Sequence, residues 1–167
     1  MKKLLTALSG LFFIFLLSCG GGSETGSAGQ TKAPIAEEAT EPKANPKGIG
    51  EVQDVPLTDP LEETMITTGK AIYEMKCSAC HKLTDQRVVG PGWAGITNKR
   101  HPAWIMNMIT NVDVMLAEDP VAQALLEECL TRMPNQGVSI GDARAILEFM
   151  RKNDLETVGE KDQAASS

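Results

Sequence analysis

Apolar residues are spread unevenly along this chain, and a helical spacing of them begins only in its second half. An unbroken apolar run from Leu11 to Leu17 lies near the N-terminus, and large apolar residues are rare between Gly20 and Ile49. From Met65 onwards apolar residues recur at intervals of three and four, which is the period of amphipathic helices. No segment shows the alternation that predicts a half-buried strand, so the pattern predicts an all-α fold.

The helix termini can be placed from residues that favour them. Asp119 is a good N-cap, and Pro120 suits the first helical position because no N–H donor is needed there. The predicted helices are Met65–Lys76, Pro102–Asn111, one that starts after Asp119, and a last one that starts at Ser139. Residues 82–99 and 112–118 are predicted to be loops. We therefore expect a small domain of about four to five helices.

The N-terminal apolar run is typical of an export signal. Lys2 and Lys3 precede it, and it is too short to span a bilayer comfortably. Leu16-Leu17-Ser18-Cys19 resembles the lipobox of bacterial lipoproteins, which predicts cleavage before Cys19 and lipidation of that residue. An ordinary signal peptide and an uncleaved anchor are the alternatives.

The composition divides the chain into four parts. Between Gly20 and Thr64 the sequence is rich in Gly, Ala, Pro, Glu and Thr, which cannot bury enough apolar surface to offset the loss of chain entropy. The predicted parts are a lipoprotein signal peptide (1–18), the lipidated Cys19 with a flexible acidic tether (19–64), a folded domain (65–155) and a disordered tail (156–167).

The distribution of charge along the chain limits the classes of partner that the protein could bind. The net charge is −6, but Met65–Leu155 holds ten basic and ten acidic residues and is neutral. The excess of acid lies in Gly20–Thr64, with nine acidic residues and three lysines. Because no basic stripe is present, nucleic-acid binding has no electrostatic support.

One motif carries the chemistry. Cys77-Ser78-Ala79-Cys80-His81 has the C-x-x-C-H pattern that attaches c-type haem. Two thiols three positions apart can reach the two vinyl groups of one porphyrin, and the adjacent imidazole can then ligate the iron. A redox dithiol usually lies in a βαβ setting, and a zinc site would need a second Cys or His pair; the sequence offers neither. The motif predicts one covalent haem c, with His81 as an iron ligand.

The sequence offers several residues as the second axial ligand, and Met133 is the one we predict. It lies in a loop between two predicted helices, and Pro134 prevents the helix from continuing through it. A thioether ligand suits low-spin iron and raises its potential relative to a second histidine. Met115, in the predicted 112–118 loop, and His101, the other histidine, are the alternatives.

Taken in order, these motifs resemble those of class I (monohaem) cytochromes c. The features span about residues 65–153 and comprise Gly69, Tyr73, Cys77-x-x-Cys80-His81, Gly90-Pro91, Arg100, Met133-Pro134 and the final helix around Ala145–Phe149. The resemblance implies the small cytochrome c fold, in which the first and last helices cross. It also implies that the Pro91 carbonyl holds the imidazole of His81 and that Arg100 lies near a haem propionate. Cys129 is then a leftover thiol, which we expect to be buried and inert.

The resemblance implies a one-electron carrier that cycles between Fe(II) and Fe(III), not an enzyme, in a respiratory chain on the periplasmic side of the membrane. The stretch from Met108 to Asn135 is similar to tethered cytochromes c that accompany nitrous oxide reductase in some Gram-negative bacteria. We therefore expect a monomer anchored by lipid, with a quinol-oxidising complex, a terminal oxidase or nitrous oxide reductase as partner. A haem protein with an open sixth site, acting as a sensor or redox enzyme, is the alternative.

Overall fold

The computed structural model describes residues 44–166, and this part of the chain is helical. Its elements are α1 (Glu63–Lys76), α2 (Ile96–Lys99), α3 (Pro102–Thr110), α4 (Val112–Glu118), α5 (Pro120–Cys129), α6 (Ile140–Thr157) and a short 3₁₀ helix (Gln163–Ser166). Among these residues there is no strand, only an isolated bridge between His81 and Arg87, so the all-α prediction is confirmed. None of these helices is long and apolar enough to cross a bilayer. The predicted signal peptide and Cys19 lie outside the described residues.

The first and last long helices, α1 and α6, pack against each other at a glycine. A methyl group at Gly69 would overlap the carbonyl of Ala145, so the two backbones are in direct contact there. One turn further along, the ring of Tyr73 lies 5.5 Å from that of Phe149 and 4.9 Å from that of Trp93. This aromatic cluster closes the core beside the end of α1.

The middle helices begin at residues that satisfy their free N–H groups. Asp119 accepts a hydrogen bond from the Ala122 N–H at 2.8 Å, with Pro120 at the first helical position, as the sequence predicted for α5. His101 caps α3 in the same way by accepting from the Ala103 N–H at 3.1 Å. These two caps determine where the chain enters α3 and α5.

The segment 112–118, predicted to be a loop, is the helix α4. Val112, Met115 and Leu116 recur at helical spacing and are all buried against the core. Seven residues with one apolar stripe give a weak periodic signal, and tertiary packing stabilises the helix where propensity does not. The prediction of a loop here was wrong.

The folded part starts before the predicted boundary at residue 65. Val52 is buried, and its backbone N–H and C=O both bond to the side-chain amide of Asn107 on α3, at 3.1 and 2.8 Å. The same amide donates to the Lys47 carbonyl at 3.0 Å. The predicted flexible tether therefore does not extend over residues 44–64, because a side chain of α3 satisfies the backbone of this segment.

The predicted disordered tail also differs from the structure. Helix α6 continues to Thr157, and the chain then returns so that Asp162 binds the buried guanidinium of Arg151 at 2.8 Å. Lys161 reaches Asp59 at 2.9 Å and joins the tail to the segment before α1. Residues 156–166 are thus held by ion pairs, which composition alone does not indicate.

Candidate haem site

The attachment motif lies immediately after α1, in a tight turn. The N–H groups of Cys77 and Ser78 both donate to the Tyr73 carbonyl at 2.9 Å, and the His81 N–H donates to the Cys77 carbonyl at 2.9 Å. The hydroxyl of Tyr73 donates to the His81 carbonyl at 2.8 Å. The turn therefore holds the backbones of both cysteines and of the histidine within one short segment. Burial raises the pKa of the Cys77 thiol, against a smaller lowering by Lys76.

The imidazole of His81 is held by a hydrogen bond at one of its two ring nitrogens. Its Nδ1 lies 2.9 Å from the carbonyl oxygen of Pro91, so that nitrogen carries the proton and donates, and Nε2 remains free to bind a metal. Gly90 packs on the ring, and a methyl group there would overlap it. Burial lowers the pKa of His81 despite the opposing bond to Pro91, which favours the neutral imidazole that metals bind.

Beside His81 lies a cavity of about 410 Å³, within the size range of cofactor sites. Its lining is almost wholly apolar and comes from the attachment motif, from the loop after it and from helices α2 to α6. The main contributors are Cys80, Val89, Trp93, Ile105, Met108, Ile109, Leu116, Leu125, Leu126 and Met150. An apolar cavity with a free imidazole nitrogen and an attachment thiol at its edge fits a haem, which is flat and apolar on both faces. Aromatic residues make up only 4% of the sequence, and this cavity provides space for a large apolar cofactor.

Met133 also lines this cavity, on the loop between α5 and α6. Met115 does not line it, because it is buried in α4 and its sulfur accepts a hydrogen bond from the Ile49 N–H at 3.1 Å. His101 is occupied in capping α3 and lies at a different cavity. The structure therefore brings Met133 together with His81 and separates both alternatives from them. Two methionines that the sequence did not single out, Met108 and Met150, line the cavity as well.

Arg100 lies beside the haem cavity, not in its lining. Its guanidinium packs over the ring of Trp104 at 5.3 Å, and it lines a smaller cavity of about 160 Å³ with Lys99 and His101. Trp104 lines both cavities and donates its indole N–H to Asp119 at 3.1 Å. A role for Arg100 at a haem propionate therefore stays a prediction.

Cys129 was expected to be buried and inert, yet it is half-buried and lines the haem cavity. The signal lay in the sequence, because Cys129 follows Leu125 and Leu126 at helical spacing and those two residues also line the cavity. Between residues 44 and 166, no group of three or more His, Cys, Asp or Glu side chains could hold a metal ion. A protein-only zinc site therefore has no set of ligands in this part of the chain.

Comparisons with known proteins agree with this geometry. The family model for cytochrome c matches residues 66–154. A solved cytochrome c from Rhodothermus marinus is 33% identical, with a TM-score of 0.63, and the match covers 65% of this chain and 92% of that one. An engineered cytochrome c from the same organism is 32% identical, with a TM-score of 0.62 and 66% and 98% coverage. A search of curated proteins gave no match.

The family match, the solved structures and the cavity beside the C-x-x-C-H turn lead to one conclusion. The match covers more than half of the chain and includes both thiols of the motif and His81. The solved relatives have the same fold at about one-third identity. The chain belongs to the cytochrome c family, as a class I c-type cytochrome that carries electrons through one covalently attached haem c.

Proposed function

We propose that this protein is a membrane-anchored respiratory electron carrier with His81 and Met133 as its axial ligands. The observation that carries the proposal is that a single apolar cavity is lined by both side chains. When bound, the haem supplies a one-electron cycle between Fe(II) and Fe(III). The protein supplies the ligands, the apolar surroundings and the surface through which electrons enter and leave.

The residues around the cavity would bias that cycle. The bond from Nδ1 of His81 to Pro91 fixes the tautomer and orientation of the imidazole. A thioether from Met133 favours the reduced iron relative to a second imidazole. The largely apolar lining disfavours the extra positive charge of the oxidised state for the same reason that burial disfavours any charge.

The rim of the cavity would be the contact for redox partners. Val89 lines the cavity and is 40% exposed, and Leu130, which is 88% exposed, lies between two lining residues, Cys129 and Thr131. Next to these residues, Arg87 and Glu128 neutralise each other in an exposed ion pair at 2.6 Å. A rim with exposed apolar residues suits brief contacts with redox partners, and binding there should depend little on salt.

The N-terminal motifs supply the location. Lipidation of Cys19 after export would hold the protein on the periplasmic face of a membrane, where a quinol-oxidising complex can reduce it. Nitrous oxide reductase or a terminal oxidase would then accept the electron, and the carrier would act as a monomer. In this proposal Arg100, which packs over the ring of Trp104, would supply a positive charge for a haem propionate.

A second candidate is a haem protein with an open sixth site. It is favoured by one similar solved structure, an engineered cytochrome c from Rhodothermus marinus bound to a carbene intermediate, which is 31% identical with a TM-score of 0.59. That fold can therefore accommodate a small organic group. In the present chain Met133 already lines the cavity, which favours the carrier.

Deletion of the gene and complementation would test the proposal. The deletion should lower respiration with nitrous oxide or with oxygen, and the full chain should restore it. Complementation with Met133→Ala should fail or be weak, whereas Cys129→Ser should restore respiration. Normal rates on both acceptors in the deletion strain would refute the proposed partners.

The anchor has its own test. The wild-type protein should partition into detergent, and Cys19→Ala should give an uncleaved or soluble form, with Cys129→Ala as the matched control. A mature protein that begins at another residue, by mass spectrometry, would contradict lipidation of Cys19.

A further inference from the structure

The loop that carries Met133 has little backbone support of its own. Within residues 44–166, no backbone–backbone hydrogen bond involves residues 131–138. The preceding residue, Leu130, ends α5 in the left-handed conformation with φ of 57° and is exposed. The position of the Met133 sulfur therefore depends on side chains that reach this loop.

Asp113 is the side chain that holds the loop on both sides of Met133. One carboxylate oxygen accepts from Arg132 at 3.1 Å, and the other accepts from Asn135 at 3.3 Å. Arg132 also donates to the Asp113 carbonyl at 3.4 Å. The pair Met133-Pro134 is thus bracketed by two residues that share one carboxylate.

The backbone of Asp113 is itself well fixed. It lies in the first turn of α4, between Val112 and Met115, and both of those side chains are fully buried. The hydrogen bonds from Arg132 and from Asn135 lower the pKa of Asp113, so the carboxylate is ionised at neutral pH and both its oxygens accept. Helix α4 therefore presents a charged hydrogen-bond acceptor to a loop that, among the described residues, has no backbone–backbone hydrogen bonds of its own.

A second contact reaches the same loop from the attachment side. The ammonium of Lys76, the last residue of α1, donates to the Gln136 carbonyl at 2.9 Å. Lys76 directly precedes Cys77, so this contact joins the Met133 loop to the attachment turn. It restrains the far end of the loop, whereas Asp113 restrains the residues next to Met133.

We propose that Asp113 is the positioning residue for the sixth ligand: it holds Arg132 and Asn135 so that the Met133 sulfur stays in the haem cavity. The proposal rests on the proposed role of Met133 as that ligand. Without Asp113 the loop opens more often, and an external ligand then reaches the iron sooner. Asp113 does not line the haem cavity and acts only through the loop.

The rate at which the oxidised holoprotein binds cyanide measures this opening. Asp113→Ala and Arg132→Ala should each bind cyanide faster, by roughly two- to fivefold, which corresponds to the loss of an exposed ion pair. The reduction potential should also fall in these two variants, because the Met133 sulfur would bind the iron for a smaller fraction of the time. Asp54→Ala is the matched control, since Asp54 forms an exposed ion pair with Lys47 at 3.0 Å, away from this loop.

A swapped pair, Asp113→Arg with Arg132→Asp, should bring the cyanide rate back towards that of the wild type. The role of Asp113 alone would be overturned if this rescue fails. It would also be overturned if both single variants bind cyanide at the wild-type rate while Met133→Ala binds it rapidly. A wild-type rate and an unchanged spectrum in Met133→Ala would overturn the sixth-ligand assignment, and the role of Asp113 with it. Faster binding in Asp54→Ala as well would show a general effect of surface charge and would also count against the proposal.

Discussion

The backbone N–H of Ile49 donates a hydrogen bond to the sulfur of Met115, across 3.1 Å. The thioether of Met115 is fully buried between α4 and the segment before α1, where Gly48 also packs on it. Any methionine in a loop near the haem could serve as a ligand on sequence grounds. This contact assigns Met115 to the core and leaves Met133 as the methionine whose loop faces the cavity.

Met133 should therefore control the spectrum, and Met115 should not. Met133→Ala should give a partly high-spin haem that binds carbon monoxide readily, because it opens a coordination position. Met133→His should stay low-spin at a lower potential. Visible and near-infrared spectra of both oxidation states, with a redox titration, would measure these changes.

Met115→Ala is the matched control for Met133→Ala. It should keep the wild-type spectrum and lose about 2–5 kcal/mol of stability, because it leaves a buried space. An unchanged spectrum in Met133→Ala would refute the assignment. Met108 and Met150, which also line the cavity, would then be the next candidates.

Covalent attachment should depend on two of the three described cysteines. Cys77→Ser and Cys80→Ser should each leave at most one thioether bond, and the double variant should lose its haem on a denaturing gel. Cys129→Ser should keep the haem, although Cys129 lines the same cavity, because it lies outside the attachment turn. Haem staining after denaturation measures all four variants, and a double variant that stays stained would contradict attachment through this motif.

The crossing of α1 and α6 should not tolerate a side chain at Gly69. Gly69→Ala places a methyl group against the Ala145 carbonyl, and the helices must separate, at a cost of about 3 kcal/mol or more. Gly141→Ala, in the first turn of α6, meets only the Ser139 hydroxyl at 3.9 Å and should gain about 0.5–1 kcal/mol. Denaturant unfolding of the two reduced holoproteins makes the comparison, and equal stability would contradict the close contact.

Acid should weaken the hydrogen bonds by which Glu148 joins α6 to the segment before α1. Burial would raise the pKa of this carboxyl, but hydrogen bonds from Arg144, from the Glu62 N–H and from Arg151 outweigh it and hold the pKa below its ordinary 4.5. A lowered pKa means that the contribution to stability is complete above the ordinary value. It is then lost as the pH falls through the value in the folded protein.

Glu148→Gln tests this pH dependence. At pH 7 it should cost about 3–5 kcal/mol, since two arginines lose their buried partner. Its difference from the wild type should shrink as the pH falls below the ordinary 4.5 and through the lowered pKa of the folded protein. Glu156→Gln is the control, because Glu156 forms an exposed pair with Lys152 at 3.5 Å and should change stability by less than about 0.5 kcal/mol. Urea titrations at several pH values would measure the stability of each variant relative to the wild type. A difference for Glu148→Gln that does not change with pH would contradict the role of Glu148 in the loss of stability in acid.

The sequence alone predicted the features that depend on neighbours in the chain. Two cysteines and a histidine at fixed spacing make up the attachment turn whatever surrounds them, and Asp119 with Pro120 begins α5 because capping involves only the next few residues. Helical spacing predicted α1, α3, α5 and α6 for the same reason. The all-α class followed from these local signals.

Only the tertiary structure decided the features that depend on distant partners. Asn107 orders a segment about fifty residues away, and Arg151 orders the tail through Asp162, so neither region could be recognised as folded from its own composition. Packing likewise distinguishes Met115, which is buried in the core, from Met133, which lines the cavity, although both residues lie in short segments of similar chemistry. Local spacing reveals what a residue can bind, whereas its position in the core decides whether it faces the cofactor.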